Sequence, residues 1–201
     1  MELHSPSENK SELIFARALS QNFGFLQARS QSILRFDLTG IAKEPRRPWC
    51  LITGPTGSGK TYLACALGHQ ACRDGFRARY YYAPKLFREL QTAQVDGSLM
   101  TLLKRLMRVA LLVIDDFGLV AATGKQYRDL LEILDDRHGQ GATLITSQFP
   151  VSQWHELIND ATVADAILDR LVHNAYRLEL KGESLRKNKA GLDSTEKNPS
   201  D

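Results

Sequence analysis

The sequence is poor in cysteine and has no long hydrophobic run. Only Cys50, Cys65 and Cys72 occur in the 201 residues, and no two of them form a CxxC pair. An odd number of cysteines without such a pair argues against a disulfide framework and against a zinc site. No apolar run approaches the roughly 20 residues of a membrane-spanning helix. The N-terminus lacks the basic and then apolar pattern of a signal peptide. We therefore predict a cytoplasmic protein that makes no membrane contact.

A strong excess of charge is also missing. The formal net charge is only +3, so the chain as a whole is not a polybasic nucleic-acid binder. Any DNA binding must come from local basic patches. The five histidines show no HExxH motif and no paired spacing, and we assign none to a metal or to catalysis. The composition, 43% hydrophobic and 24% charged, is that of a globular chain, and the length indicates one domain.

Apolar strands alternate with helices over most of the chain. Strands are predicted at WCLIT, RARYYYA, VALLVID, ATLITS and AYRLEL, and helical segments separate them. Nearly uniform apolar strands in this arrangement predict a central parallel sheet covered on both faces, an α/β three-layer sandwich. Its ligand crevice lies at the carboxyl ends of the strands. We predict this domain at 41–190, after a short segment at 1–40 that is partly helical or disordered, and before a disordered tail at 191–201.

The segment GPTGSGKT fits the phosphate-loop pattern G-x-x-x-x-G-K-[ST] and stands between a predicted strand and a predicted helix. Its glycines permit backbone angles that turn several N–H groups inward, and the helix N-terminus points at the same place. We predict that the loop binds the phosphates of ATP. Its residues are Gly54, Pro55, Thr56, Gly57, Ser58, Gly59, Lys60 and Thr61. Lys60 would reach the β- and γ-phosphates, and the Thr61 hydroxyl would bind Mg²⁺.

Polar residues follow two further predicted strands. Asp115 and Asp116 come after a buried strand in LLVIDDFG, and an orientation toward the crevice avoids the cost of burying two carboxylates. We predict that Asp115 holds Mg²⁺, directly or through water, and that Asp116 activates the attacking water. Ser147 and Gln148 end the strand in TLITSQFP, which we expect beside the phosphate-loop strand. Either side chain could bond the water or the γ-phosphate, although a simple strand exit gives the same pattern.

Four segments together resemble the IstB-like ATPases, the transposition helper proteins of one group of bacterial insertion sequences. They are GPTGSGKTYLACALGHQACRDG, LLVIDDFG, ITSQFPVSQWHELI and ADAILDRLVHNAYRLELKGESLRK. The resemblance extends from about Trp49 to Lys189. It implies membership of the AAA+ superfamily of P-loop NTPases, with DnaC and DnaA as relatives. It also implies Walker A at the phosphate loop and Walker B at Asp115 and Asp116. From the sequence after RLELKGES we predict no substantial C-terminal lid domain.

The resemblance assigns further roles. It places sensor 1 at Ser147 or Gln148, sensor 2 at Arg186, and an arginine finger at Arg170 that serves the ATP of a neighbouring subunit. From the residues alone, Arg170 could equally lie outward for solubility, and Arg186 could belong to a solvated basic tail. Arg88, Lys104, Arg105 and Arg108 lie where initiator-type ATPases carry a DNA-facing element, although ordinary surface charge is a close alternative. We expect Tyr80, Tyr81 and Tyr82 in the core rather than stacked on bases.

The implied function is an Mg²⁺-dependent ATPase that self-associates on the DNA backbone and presents target DNA to a partner transposase. A helicase loader of the same fold is an open alternative, as is a nucleotide-binding remnant that does not hydrolyse. A small-molecule kinase would need an arginine-bearing lid in the same chain, and we find no such segment.

Overall fold

The structure is a computed structural model in which residues 49–173 and 175–181 are described. The predicted segment at 1–40, the predicted tail at 191–201 and the candidate Arg186 lie outside these residues. The domain limits therefore stay predictions.

Strands and helices alternate along the described chain. The strands are β1 (Trp49–Thr53), β2 (Ala78–Tyr82), β3 (Leu111–Phe117), β4 (Ala142–Ser147) and β5 (Ala175–Glu179). The helices are α1 (Lys60–Arg73), α2 (Ala83–Val95), α3 (Leu99–Met107), α4 (Gly124–Arg137), α5 (Trp154–Ile158) and α6 (Ala161–His173). No described helix has the length and apolar character needed to cross a bilayer.

The five strands form one parallel sheet in the order β2-β3-β4-β1-β5. Helix α1 packs on one face through Ala64, Leu67 and Ala71. Helices α2 to α6 pack on the opposite face, in the larger core. The predicted three-layer α/β sandwich is confirmed. Its strand order places β4 between β1 and β3, so the segments that follow all three strands meet at one edge of the sheet.

Local sequence signals explain where several helices begin and end. Thr123 caps α4 in a capping box, in which its hydroxyl accepts from the Gln126 N–H and the Gln126 side chain accepts from the Thr123 N–H. Pro84 stands in the first turn of α2, where its missing N–H costs nothing. Gly97, with φ of +77°, makes the turn between α2 and α3.

Two features differ from the sequence-based expectations. Asp115 and Asp116 do not follow β3 but lie inside it, since the strand continues to Phe117. Helix α5 was not predicted, because five residues are too few to show a helical period. Its first residue, Trp154, is fully buried, and the indole N–H donates to the carbonyl of Phe149 at 3.1 Å. Trp154 therefore anchors the segment after β4 in the core.

Arg137, at the end of α4, is fully buried and connects three elements. Its Nε donates to the Thr143 hydroxyl at 3.0 Å, and Nη1 donates to the carbonyl oxygens of Leu106 and Val109 at 2.6 and 3.1 Å. Nη2 donates to the carbonyl oxygen of Ala142 at 2.5 Å. The guanidinium thus donates to carbonyl groups at the end of α3, just after it and at the start of β4.

We predict that Arg137→Leu lowers the free energy of unfolding by about 3 kcal/mol or more, because several buried acceptors lose a charged donor. Urea denaturation followed by circular dichroism measures the loss. Arg128→Leu on the same helix is the matched control, since the Arg128 side chain is 67% exposed and its ion pair to Asp160 spans 3.9 Å. Equal losses in the two variants would contradict the assigned role of Arg137.

Candidate functional site

The segment 54–59 forms a loop at the carboxyl end of β1, immediately before α1. Gly54, Gly57 and Gly59 have φ values of +148°, +82° and +95°. Such values are rare for residues with a side chain, so the glycines of the motif are required by the backbone they adopt. Gly59 precedes α1 without any side-chain cap, and the first turn of α1 holds no acidic residue. The loop and the helix end therefore present N–H groups to an anion.

Gly54 is held closely by the neighbouring strands. Its N–H donates to the carbonyl oxygen of Ser147 at 3.2 Å, and a Cβ atom at Gly54 would lie 2.4 Å from the carbonyl oxygen of Leu180. Leu180 is fixed in turn, because its N–H donates to the carbonyl oxygen of Thr53 at 2.7 Å. The start of the loop therefore has no room for a larger residue.

Lys60 and Ser58 supply polar atoms inside the loop. The Lys60 side chain is buried, and its Nζ donates to the carbonyl oxygens of Gly54 and Pro55 at 2.9 and 3.0 Å. The Ser58 hydroxyl is buried and has no hydrogen-bond partner among the described residues. A buried hydroxyl of this kind is costly unless a ligand or water satisfies it. A cradle with a central ammonium group and an unsatisfied hydroxyl fits the phosphate groups of a nucleotide.

Asp115 is 1% exposed, and both of its carboxylate oxygens accept hydrogen bonds. The Tyr80 hydroxyl donates to Oδ2 at 2.7 Å, and the Thr146 hydroxyl donates to Oδ1. Burial raises the pKa of Tyr80, and the charge of Asp115 and its hydrogen bond raise it further. Burial and then the charge of Asp115 raise the pKa of Cys65, on α1, to about 12. The Asp115 side chain thus lies on the side of the sheet that α1 covers.

Asp116 occupies a β-bulge. The pairing of β3 with β4 shifts between Ile114 and Phe117, so that Asp115 and Asp116 together face Thr146. Asp116 has φ of +58°, and its N–H donates to the Thr146 hydroxyl at 3.0 Å. Asp115 faces α1 by regular alternation with Leu111 and Val113, and the extra residue lets Phe117 enter the opposite core. The bulge explains how β3 accommodates two adjacent carboxylates.

Ser147 and Gln148 have different surroundings. The expected pairing of their strand with the phosphate-loop strand is confirmed by the β1–β4 register. The Ser147 hydroxyl is fully buried, donates to the carbonyl oxygen of Phe117 at 2.7 Å and accepts from the Phe149 N–H at 3.1 Å. The Gln148 side chain instead accepts from the Thr56 hydroxyl at 2.9 Å. Of the two side chains, that of Gln148 contacts the phosphate loop, whereas Ser147 reaches it through its backbone carbonyl oxygen. The predicted roles of both residues stay predictions.

Arg170 lies on α6 and is bound to Asp135 on α4. Its Nε and Nη2 both donate to the Asp135 carboxylate, and Nη1 donates to the carbonyl oxygen of Ala166 at 2.8 Å. The Arg170 side chain is 32% exposed. A two-point pair of this kind fixes the plane of the guanidinium. The sequence analysis gave no partner for Arg170.

The donor atoms present fit Mg²⁺ bound together with nucleotide phosphates. The described residues contain no group of three or more His, Cys, Asp or Glu side chains that would hold a metal ion alone. Mg²⁺ is usually held by one or two protein oxygens together with substrate phosphates and water. The Asp115 carboxylate and the Thr61 hydroxyl, in the first turn of α1, are hard oxygen donors of that type.

Two residues at this site, Tyr80 and Thr146, are not predicted from the sequence. Tyr80 is expected in the core without a polar role, and Thr146 lies in a strand with no motif. No motif contains either residue, and their contact with Asp115 depends on the alignment of β2, β3 and β4. The run of three tyrosines in the sequence therefore does not predict which of them contacts Asp115.

The four cations singled out for DNA contact lie on α2 and α3 or just after α3. All four are exposed. Arg105 is paired with Glu89 and also donates to the Tyr81 hydroxyl at 3.2 Å. That ion pair joins the two helices, and Arg88 and Lys104 directly precede its two members in the sequence. Arg88, Lys104 and Arg108 therefore flank this ion pair, while Arg105 has a structural partner.

Comparison with known families and proteins gives one consistent result. The family model described as IstB-like ATP binding protein matches residues 12–192, which is farther toward the N-terminus than the resemblance alone indicated. An insertion sequence ATP-binding protein of Sinorhizobium fredii, y4uH, is 57% identical over 138 residues, which are 69% of this chain and 56% of the relative. The IS21 ATP-binding protein of Pseudomonas aeruginosa is 31% identical over 187 residues, 91% of this chain and 70% of the relative. The chain spans about half the length of the first relatives, between 44% and 56%.

Solved structures with the same fold are replication proteins. The replication initiator DnaA bound to AMPPCP and single-stranded DNA aligns with a TM-score of 0.64 and 18% identity, over 83% of this chain and 51% of DnaA. The DnaC helicase loader also aligns with a TM-score of 0.64, at 20% identity, over 76% of this chain and 91% of DnaC. Identities this low show the fold, which is that of AAA+ P-loop proteins.

The environments of the three cysteines predict their reactivity. Burial raises the pKa of Cys50 to about 12, and burial with the charge of Asp115 does the same for Cys65, whereas Cys72 is exposed. Thiols with pKa values this high remain protonated at pH 8 and react slowly. We expect a disulfide reagent at pH 8 to modify Cys72 alone in the folded protein and all three cysteines in urea, as counted by mass spectrometry. Rapid modification of Cys65 in the folded protein would contradict the described packing of α1 on Asp115.

Proposed function

The chain belongs to the IstB-like ATP binding protein family, and from this premise we propose that it is an Mg²⁺-dependent ATPase of an insertion sequence. It assembles on DNA and presents target DNA to the transposase of the same element. The observation that carries the proposal is the convergence of three elements at one edge of the sheet. These are the glycine-rich loop around Lys60, the buried carboxylate of Asp115 and the side chain of Gln148, which contacts the loop.

ATP binding is assigned to the loop and to the start of α1. Backbone N–H groups of the loop and of the first turn of α1 bind the phosphates, and the Ser58 hydroxyl gains a partner. Lys60 gives up its bonds to the Gly54 and Pro55 carbonyl oxygens in order to reach the β- and γ-phosphates. Thr61 and Asp115 hold Mg²⁺, which when bound neutralises charge that develops on the phosphates.

Hydrolysis is assigned to Asp116 and Gln148. Asp116 is partly exposed at the bulge, beside the buried Asp115, and it orients the attacking water and accepts its proton. Gln148, already hydrogen-bonded to Thr56 of the loop, orients the same water or the γ-phosphate. The Ser147 hydroxyl bonds backbone groups on both sides, so its contribution is to hold the end of β4 next to the loop.

Arg170 is assigned to the ATP of a neighbouring subunit. Asp135 and the Ala166 carbonyl oxygen fix its guanidinium while about a third of the side chain stays exposed. An arginine that reaches the phosphates of a neighbour stabilises the charge that develops during transfer. In this arrangement hydrolysis requires assembly, because each subunit completes the site of another.

DNA contact is assigned to the exposed cations Arg88, Lys104 and Arg108, which flank the ion pair of Glu89 with Arg105. Such residues bind phosphates and position the protein without reading the base sequence. The insertion-sequence context of the relatives and the DNA bound by DnaA support DNA as a partner, and the exposed charge of these residues is our reason for choosing this surface. Its occupation by DNA would favour assembly and therefore hydrolysis.

We predict that Lys60→Ala and Arg170→Ala each lower DNA-stimulated ATP turnover by about 100-fold or more, because each removes a preorganised cation from the transferred phosphoryl group. A mixture of the two inactive variants should recover activity. Lys60→Ala subunits supply Arg170 to the intact loops of Arg170→Ala subunits. Random assembly makes roughly a quarter of the interfaces competent. Phosphate release from Mg²⁺-ATP, with and without duplex DNA, measures both effects.

Arg128→Ala is the matched control for this experiment, since Arg128 is exposed on α4 and lies outside the assigned site. Arg128→Ala alone should retain normal turnover. In mixtures with Lys60→Ala or Arg170→Ala, it should contribute only the activity expected from its fraction of the subunits. Activity of Arg170→Ala equal to that of the unchanged protein would remove the trans role. If the unchanged protein shows no ATP turnover under any condition, the proposed ATPase activity is contradicted.

We predict that Lys104→Gln combined with Arg108→Gln weakens duplex binding equally for unrelated sequences. The slope of log K against log salt should fall by about 2, because two phosphate contacts are lost. Fluorescence anisotropy over a range of salt concentrations measures both quantities. The control is Lys125→Gln with Arg128→Gln, which removes the same charge from exposed positions of α4. An equal loss in the control would show that net charge alone governs binding.

A further inference from the structure

The carboxylate of Asp115 is fixed from two sides by hydroxyl groups of neighbouring strands. Tyr80, on β2, donates to Oδ2 at 2.7 Å, and Thr146, on β4, donates to Oδ1. The carboxylate is 1% exposed, so these bonds replace hydration that it has lost. Each oxygen keeps a further lone pair, so the two bonds orient the carboxylate without saturating it. The plane of the carboxylate is therefore determined by the two neighbouring strands.

The geometry of β2 and β3 explains why a tyrosine can reach this carboxylate. Asp115 pairs with Tyr82, and Val113 pairs with Tyr80, so Tyr80 and Asp115 are diagonal neighbours on one face of the sheet. Diagonal neighbours lie about 7–8 Å apart, a span that only long side chains cover. The ring of Tyr80 packs against the core beneath α1, and its hydroxyl extends to Asp115. A phenylalanine would keep that packing but would have no donor.

We propose that Tyr80 is a positioning residue for Asp115, holding the carboxylate with Thr146 in the orientation that serves Mg²⁺ bound with ATP. This inference rests on the proposed metal role of Asp115. Carboxylates that bind metals are commonly hydrogen-bonded by outer residues, and loss of such a residue typically lowers metal affinity by about 10- to 100-fold. The Tyr80 phenol donates to Asp115 while its ring packs beneath α1, so Tyr80→Phe removes that hydrogen bond and keeps the packing.

The test compares Tyr80→Phe with Tyr81→Phe. Tyr81 lies on the same strand with its ring in the opposite core, and its hydroxyl accepts a hydrogen bond from Arg105. The control variant thus also removes a phenol that takes part in a hydrogen bond, away from Asp115. The measurement is the free Mg²⁺ concentration that gives half-maximal binding of a fluorescent ATP analogue, together with the affinity for the analogue in EDTA.

We expect Tyr80→Phe to raise the half-maximal Mg²⁺ concentration about tenfold, the lower end of the range for outer residues, with affinity in EDTA unchanged. Tyr81→Phe should leave the Mg²⁺ requirement unchanged. Thr146→Val should act like Tyr80→Phe, whereas Thr146→Ser keeps the hydroxyl and should retain the normal requirement. A merely structural role would change thermal stability or affinity in EDTA without changing the Mg²⁺ requirement.

Asp115→Asn separates failure of the inference from failure of the proposed function. If Asp115→Asn raises the Mg²⁺ requirement and Tyr80→Phe does not, the positioning role is overturned and the metal role of Asp115 stands. If Asp115→Asn leaves the requirement unchanged, the metal role is overturned and the inference falls with it. If Tyr81→Phe raises the requirement as much as Tyr80→Phe, loss of any phenol from β2 explains the effect and the inference is overturned.

Discussion

The hydrogen bonds of the Thr146 hydroxyl hold together the part of the sheet on which the site depends. The hydroxyl donates to Asp115 and accepts from the N–H of Asp116, so a single side chain on β4 fixes both members of the carboxylate pair. It does so at the bulge, where two residues of β3 face one residue of β4. Asp115 faces α1 by regular alternation with Leu111 and Val113, and the bulge lets Phe117 enter the opposite core. Without it, regular alternation along β3 would place Asp116 rather than Phe117 in that core.

The same central strand connects the carboxylates with the phosphate loop. β4 pairs with β1 on one side and with β3 on the other, and its end carries Ser147 and Gln148. The carbonyl oxygen of Ser147 accepts from Gly54, and Gln148 accepts from Thr56. A change in the phosphate loop would therefore reach the bulge through a short, hydrogen-bonded strand end. This connection suits the proposed function, in which nucleotide binding controls assembly.

Much of the fold follows from the sequence, because uniformly apolar runs such as VALLVID and ATLITS have few alternatives to a buried parallel strand. The phosphate loop follows because its glycines have backbone angles that other residues rarely adopt. The bulge at Asp116 does not follow, since an extra residue in a strand leaves no pattern in the local sequence. The pairing of Tyr80 with Asp115 and of Arg170 with Asp135 joins residues 35 positions apart. Only the alignment of strands and the packing of α6 on α4 bring these residues together.

The central claim is that the loop from Gly54 to Thr61 binds the phosphates of ATP beside Asp115. The most direct measurement is an amide ¹H–¹⁵N spectrum of the assigned protein, recorded while ATP and Mg²⁺ are added. The account predicts that the largest shifts occur at the amides of residues 57–61, with smaller shifts at Asp116 and Gln148. Omission of Mg²⁺ should reduce the shift at Asp116 most. Saturable shifts that avoid residues 54–61, or no shifts at millimolar ATP, would contradict the account.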